Sequence, residues 1–134
     1  MKDRYLFRGK RKDNGEWIFG NLIQTDDGVY IIQNYVPLHL IKNCEVDQST
    51  VCQCTGLNDE NGRLIFENDI VAYWDTYSTE SGLTEADCIG KVVWDDETIS
   101  FQVTNRLSAE SYEVLGDECS VIGNVFDNPE LLEV

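Results

Sequence analysis

Val51-Cys52-Gln53-Cys54-Thr55-Gly56-Leu57-Asn58-Asp59-Glu60-Asn61-Gly62-Arg63-Leu64-Ile65-Phe66-Glu67-Asn68-Asp69-Ile70-Val71 is the stretch on which the reading of this chain turns. A short β run enters it, turn residues at Thr-Gly and Asp-Glu-Asn-Gly reverse it, and a second β run leaves. Asn61-Gly62 is the strongest turn signal in the sequence, because both residues tolerate the positive φ that a tight reversal needs. Half of the protein lies on each side, so the segment is expected to act as hinge and shared core.

Working outward, the amino-terminal side reads as a β meander. Residues 4–8 form a first strand, Asn14-Gly15 marks a turn, and residues 16–24 return with Trp17 and Phe19 alternating against Ile18 and Gly20. Asp26-Asp27-Gly28 is a second turn before the β-branched run 29–33. Pro37 demotes residues 36–41 to an edge or crossover, and residues 44–54 regain strand character. On the carboxy-terminal side, residues 69–74 form a strand. Residues 75–87, rich in Ser, Thr, Glu and Gly, read as a long mobile loop. Residues 88–94 and 98–104 pair around Asp95-Asp96-Glu97. Residues 107–116 suit either a short helix or an irregular strand. Residues 120–126 make a last strand, and Asn128-Pro129 opens a terminal turn with Asn128 as its N-cap. No segment sustains a 3.6-residue apolar repeat, and short strands at 8–12-residue spacing indicate an all-β chain.

The 134 residues suffice for one compact domain or two small ones, and 42% are hydrophobic, enough for a buried interior. No apolar run is long enough for a membrane helix, and the first residues lack a secretory signal, so a cytoplasmic protein is expected. Charge is the unusual bulk property. Ten basic and 25 acidic residues give −15; residues 1–16 hold six basic and three acidic side chains, which leaves −18 on the remaining 118. Such a chain repels phosphate backbones over most of its length and favours solubility or a basic protein partner. Five cysteines, an odd count, do not form the even framework of a small secreted scaffold, so reduced thiols are expected.

Four ordered pieces carry a resemblance: Arg4-Tyr5-Leu6-Phe7-Arg8-Gly9; Gln53-x-Thr55-Gly56-Leu57-x-Asp59-x-Asn61-Gly62-x-x-Ile65-Phe66-Glu67-x-Asp69-Ile70-Val71; Gly90-Lys91-Val92-Val93-Trp94-Asp95; and Val121-Ile122-Gly123-Asn124-Val125-Phe126-Asp127-Asn128-Pro129-Glu130-Leu131-Leu132. Together the sequence resembles the YopX family of small phage- and prophage-encoded proteins. The likeness implies two β-rich parts, an amino-terminal one for self-association and a carboxy-terminal SH3-like barrel, and it implies no established activity. Two positions depart from the family pattern. Cys54 stands where an aromatic residue is usual, and Asn68 stands where Gly is usual, a change that keeps the capacity for left-handed backbone.

Candidate chemistry is sparse. Cys52-x-Cys54 with Cys44 has one residue between the paired thiols and no second pair, which does not meet the spacing of structural zinc; small buried hydrophobes are the expected role. His39, the single histidine, has no local nucleophile or carboxylate partner. Glu67 with Asp69, and Asp95-Asp96-Glu97, offer paired carboxylates, but turn carboxylates usually cap backbone N–H groups. The basic hairpin, Arg8, Lys10, Arg11 and Lys12 beside Trp17, is the candidate interaction site.

The sequence therefore predicts an all-β protein of two small barrel-like subdomains, residues 1–54 and 55–134. It is expected to be non-enzymatic and cofactor-free, with no metal and no membrane association. It is expected to form homo-oligomers and to bind a host or phage protein. Three other roles compete: a nucleic-acid accessory using the basic hairpin, an acidic DNA-mimic inhibitor, and an enzyme, which would need a concave pocket gathering His39, a cysteine or a carboxylate pair.

Overall fold

In the computed structural model, residues 5–33, 36–79, 82–104, 111–113 and 118–132 are described. Ten strands, antiparallel in every described pairing, and a few short 3-10 turns are the regular structure of the described residues, so the chain is all-β. They form two compact units, Met1–Gly56 and Leu57–Val134.

In the first unit, β1 (Phe7–Lys10), β2 (Trp17–Thr25), β3 (Gly28–Ile32) and β4 (Cys52–Asn58) take the order β3-β2-β1-β4. β1 starts three residues later than the sequence suggests, with Tyr5 outside it. The β1–β2 reversal is held by Arg11 N–H on the Glu16 carbonyl and Gly15 N–H on the Arg11 carbonyl, both 2.9 Å. Gly15 sits at φ 71°, as the Asn-Gly signal requires. Gly20 lets β3 come close: a Cβ there would lie 2.4 Å from the Ile32 carbonyl oxygen.

Residues 44–54 do not form the continuous strand that their apolar content suggests. A 3-10 turn covers Leu38–Cys44, a second covers Gln48–Thr50, and β4 starts only at Cys52. The cause is Asp47, which accepts from the Ser49 N–H at 3.0 Å and its hydroxyl at 2.8 Å. Those hydrogen bonds, side chain first and backbone second, hold the Asp47 carboxyl below its ordinary range. Between the two turns, residues 45–47 join the opposite sides of the sheet. Val46 N–H donates to the Val29 carbonyl of β3 (3.0 Å), Lys12 N–H to the Glu45 carbonyl (2.9 Å), and Asp47 N–H to the Lys10 carbonyl of β1 (2.8 Å). This closes the sheet around Val29, Ile31 and Val46, with Phe7, Ile18, Leu22 and Val51 packed on them.

The second unit begins in the last residues of β4 and passes through the turn at 59–62 into β5 (Leu64–Phe66). Thr55-Gly56 is no reversal: β4 runs straight through it, with Gly56 at φ 85°. The remaining strands, β6 (Asp69–Thr79), β7 (Gly82–Asp95), β8 (Ser100–Thr104), β9 (Ser111–Glu113) and β10 (Cys119–Asn124), form a sheet ordered β10-β6-β7-β8-β9. Ile65, Val71, Val92, Val103, Cys119 and Val121 make its core, with Tyr73 and Phe101 against them. Within the expected loop, residues 75–79 and 82–87 are strand. β6 and β7 stay in register from Ile70↔Lys91 to Thr79↔Gly82, and the Thr residues counted towards a loop suit strands. Of residues 107–116, Ser111–Glu113 pair with β8 and the others lie outside the described residues.

Candidate interaction surfaces

Asp59, Asn68 and Asp69 of the central stretch each serve a turn. Asp59 is buried. Its Oδ1 accepts from Asn61 N–H at 2.9 Å and Arg63 N–H at 2.8 Å, and its Oδ2 accepts from Val121 N–H at 2.8 Å. Glu60 N–H meets the Cys119 carbonyl at 2.9 Å, so the turn covers β10 at two neighbouring points. Burial by itself pushes the Asp59 carboxyl up. Three backbone donors, Val121 foremost, with the charge of Arg63, outweigh it and hold the group below its ordinary range.

Downstream, Asp69 Oδ2 accepts from Phe66 N–H at 2.8 Å, and Asn68 adopts φ 69° between them. The left-handed geometry anticipated from Asn68 is therefore present. Asn68 N–H donates to the Val92 carbonyl at 2.7 Å and its carbonyl accepts from Val125 N–H at 3.0 Å. In the last piece, Asn124 Oδ1 accepts from the N–H groups of Phe126 (3.0 Å) and Asp127 (2.9 Å). Asn128 does not cap the terminal 3-10 turn with its side chain; Oδ1 takes the Asn124 N–H at 3.3 Å, and only its carbonyl meets Leu131 N–H at 3.1 Å.

The family's sequence pattern, described as YopX protein, matches residues 6–133. The chain belongs to the YopX family. No curated protein matches it. In this YopX chain the signature pieces thus act as fold-holding residues at turns and strand edges.

The other candidate groups fall at separate places. Asp95 Oδ1 accepts from Glu97 N–H at 2.9 Å and Asp96 Oδ1 from Trp94 Nε1–H at 2.8 Å, which are turn contacts. Cys44, Cys52 and Cys54 are buried; Cys52 Sγ–H donates to the Thr50 carbonyl at 3.2 Å and Cys54 Sγ accepts from Gly56 N–H at 3.4 Å. His39 is exposed on the Leu38–Cys44 turn. Among the described residues, no group of three or more His, Cys, Asp or Glu is placed to hold a metal ion. No helix among them is long and apolar enough to cross a membrane.

The basic hairpin is built around one ring. Lys10 pairs with Trp17 and Arg8 with Phe19 across β1 and β2. The Arg8 guanidinium lies 4.7 Å and the Lys10 ammonium 5.4 Å from the Trp17 ring centroid, within cation–π range. Arg8 is only 4% exposed. Arg11 binds Asp13 at 2.6 Å and Lys12 binds Glu45 at 3.3 Å. The sequence shows the cations and Trp17; it does not show that Glu45, far along the chain, answers Lys12.

Each unit also shows apolar side chains on the face away from its core. On β2, Phe19 and Ile23 stand out, each 39% exposed, in phase with Trp17 and opposite in phase to Ile18 and Leu22. In the second unit Trp74 is 55% and Ile89 41% exposed. Both lie out of phase with Val71, Tyr73 and Val92, and the partner of Ile89 is Ala72, two residues before Trp74. Ile122 stands at the β10 bulge. Sequence reading overlooked Trp74 and Ile89, although a strict period of two through β6 and β7 would have set them apart from the core residues.

Proposed function

We propose that this chain is a non-enzymatic, self-associating β module that works by binding proteins, phage- or prophage-encoded and active in the host cytoplasm without a cofactor. The observation that carries the reading is the outward display of Phe19, Ile23, Trp74 and Ile89 on two sheets whose motif carboxylates and amides are engaged in turns. Apolar surface of this kind is characteristic of docking faces. Direct nucleic-acid binding draws less support, because Arg8 is buried, and Arg11 and Lys12 face carboxylates. Light scattering coupled to size exclusion, at micromolar protein and several salt concentrations, tests the assembly. An oligomer is expected, and a monomer under every condition overturns the reading.

A further inference from the structure

The turn between β7 and β8 carries an apolar side chain that its own fold hardly uses. Residues 96–99 join the Asp95↔Ser100 pair. Ile99 there holds φ 53° and is 75% exposed. Left-handed backbone is unfavourable for a β-branched residue, and packing of so exposed a side chain offsets little of that strain. Trp94 stands half-exposed at the base of the turn, edge-on to Phe101 with ring centroids 5.1 Å apart. Polar groups hold the turn in shape: Asp95 Oδ1 takes the Glu97 N–H, Asp96 Oδ1 takes Trp94 Nε1–H, and Gln102 Nε2 donates to the Ser100 hydroxyl at 2.7 Å. Asp96 and Glu97 are exposed and leave from the same four residues as Ile99. Residues 92–104 contain no Lys or Arg. An ordered turn with one apolar anchor beside two carboxylates fits a surface of apolar side chains flanked by cations. The first unit has such a surface. Phe19 and Ile23 stand out from β2. On one flank Arg8 pairs with Phe19 and Lys10 with Trp17. On the other, Tyr30 pairs with Ile23, and the Lys42 ammonium donates to the Tyr30 hydroxyl at 3.4 Å. The Lys42 and Lys12 side chains are 70% and 59% exposed, and both reach Glu45, at 3.9 and 3.3 Å. One carboxylate against two cations leaves this flank positive.

We propose that the β7–β8 turn of one copy docks on this face of a second copy, with Ile99 against Phe19 and Ile23 and the carboxylates of Asp96 and Glu97 towards Lys12 and Lys42. The inference rests on the self-association reading and names its contact. Charge decides for a second copy: Leu57–Val134 holds 18 acidic and three basic residues, whereas Met1–Gly56 holds seven of each. The acidic turn and the cation-flanked face therefore occur in the same chain. Each copy carries one of each, so the contact is head-to-tail. The ion pairs that Lys12 and Lys42 make with Glu45 are of the solvent-facing kind that contributes little and exchanges readily.

Two measurements test this. Ile99→Asn suits the left-handed position, so the fold keeps its stability while the anchor is removed. By light scattering over a dilution series, the Kd of the oligomer is expected to rise about tenfold; an unchanged Kd overturns the contact. The second measurement exchanges charges. One variant carries Asp96→Lys and Glu97→Lys, the other Lys12→Glu and Lys42→Glu. Each alone sets like charges against like and is expected to run as a monomer. Mixed in equal amounts, they restore opposite charges at every turn–face contact, and the oligomer is expected to return, which also shows that both variants are folded. Either variant alone at the mass of the unaltered oligomer overturns the contact and leaves self-association standing. Two monomeric variants that stay monomeric when mixed overturn it as well. A monomeric unaltered chain overturns the self-association reading itself.

Discussion

Replacing Asp59 with Asn removes one charge while keeping the shape of the side chain. The carboxylate serves three N–H donors: Asn61 and Arg63 on Oδ1, Val121 on Oδ2. An amide has a single acceptor oxygen. If that oxygen stays with Asn61 and Arg63, the new NH2 group faces the Val121 N–H, two donors with no acceptor between them. A buried donor left in that state costs about 1–3 kcal/mol. The two remaining bonds lose their charge assistance, about another 1 kcal/mol together. Easier burial of the neutral group returns a part, so the loss is about 3 kcal/mol. For a unit the size of Leu57–Val134, about 4–8 °C of melting temperature accompanies each kcal/mol. The second unit should therefore melt about 12–24 °C lower at pH 7, by circular dichroism or calorimetry.

The pH dependence has a definite sign. The folded-state carboxyl of Asp59 lies below its ordinary value of 3.8. Its contribution is complete above that value and fades as pH falls through the lower folded one. Melting curves of the two proteins should therefore stay equally far apart from pH 8 to pH 5 and converge below about pH 4. Amide exchange adds a local reading, with Val121 losing protection first. A shift under about 5 °C at pH 7, or a gap that does not narrow in acid, would refute the claim that this carboxylate ties the turn to β10.

Other substitutions probe separate features. Ile99 holds φ 53° while 75% exposed, a left-handed geometry costly for a β-branched residue; Ile99→Asn should stabilise by about 0.5–1 kcal/mol in urea unfolding. Gly20→Ala would set a methyl 2.4 Å from the Ile32 carbonyl oxygen, and the β2–β3 pairing should weaken by about 2 kcal/mol or more, seen as a lower urea midpoint. Trp17→Leu removes the ring beneath Arg8 and Lys10; a loss of about 1–2 kcal/mol is expected, whereas Trp17→Phe should recover about half. Asn68→Val forces a β-branched side chain into φ 69° and should cost about 2 kcal/mol, while Asn68→Gly should be close to neutral.

Strand character, the Asn-Gly turns and the left-handed Asn68 were legible because each is decided by neighbouring residues. What escaped was decided at a distance. Asp59 reads as a turn residue, yet its second oxygen reaches Val121, 62 positions later. Residues 45–47 carry no alternating pattern, since they contribute isolated bridges to two strands at once. Residues 75–87 look like a loop by composition, but six residue pairs in unbroken register, from Trp74↔Asp87 to Thr79↔Gly82, override that preference. For the candidate surface, Arg8, Lys10 and Trp17 were visible as types, while the burial of Arg8 depends on β1 lying between β2 and β4.

The stitch made by residues 45–47 has a further result for how the first unit meets other molecules. With Val29 and Lys10 carbonyls already taken by Val46 and Asp47, a visiting chain finds few backbone groups there to extend the sheet. Recognition on that unit must then be written in side chains, which evolution can exchange one at a time without unravelling the scaffold. On the proposed binding reading, a new specificity needs changes only at positions such as Phe19 and Ile23, under a framework that stays the same.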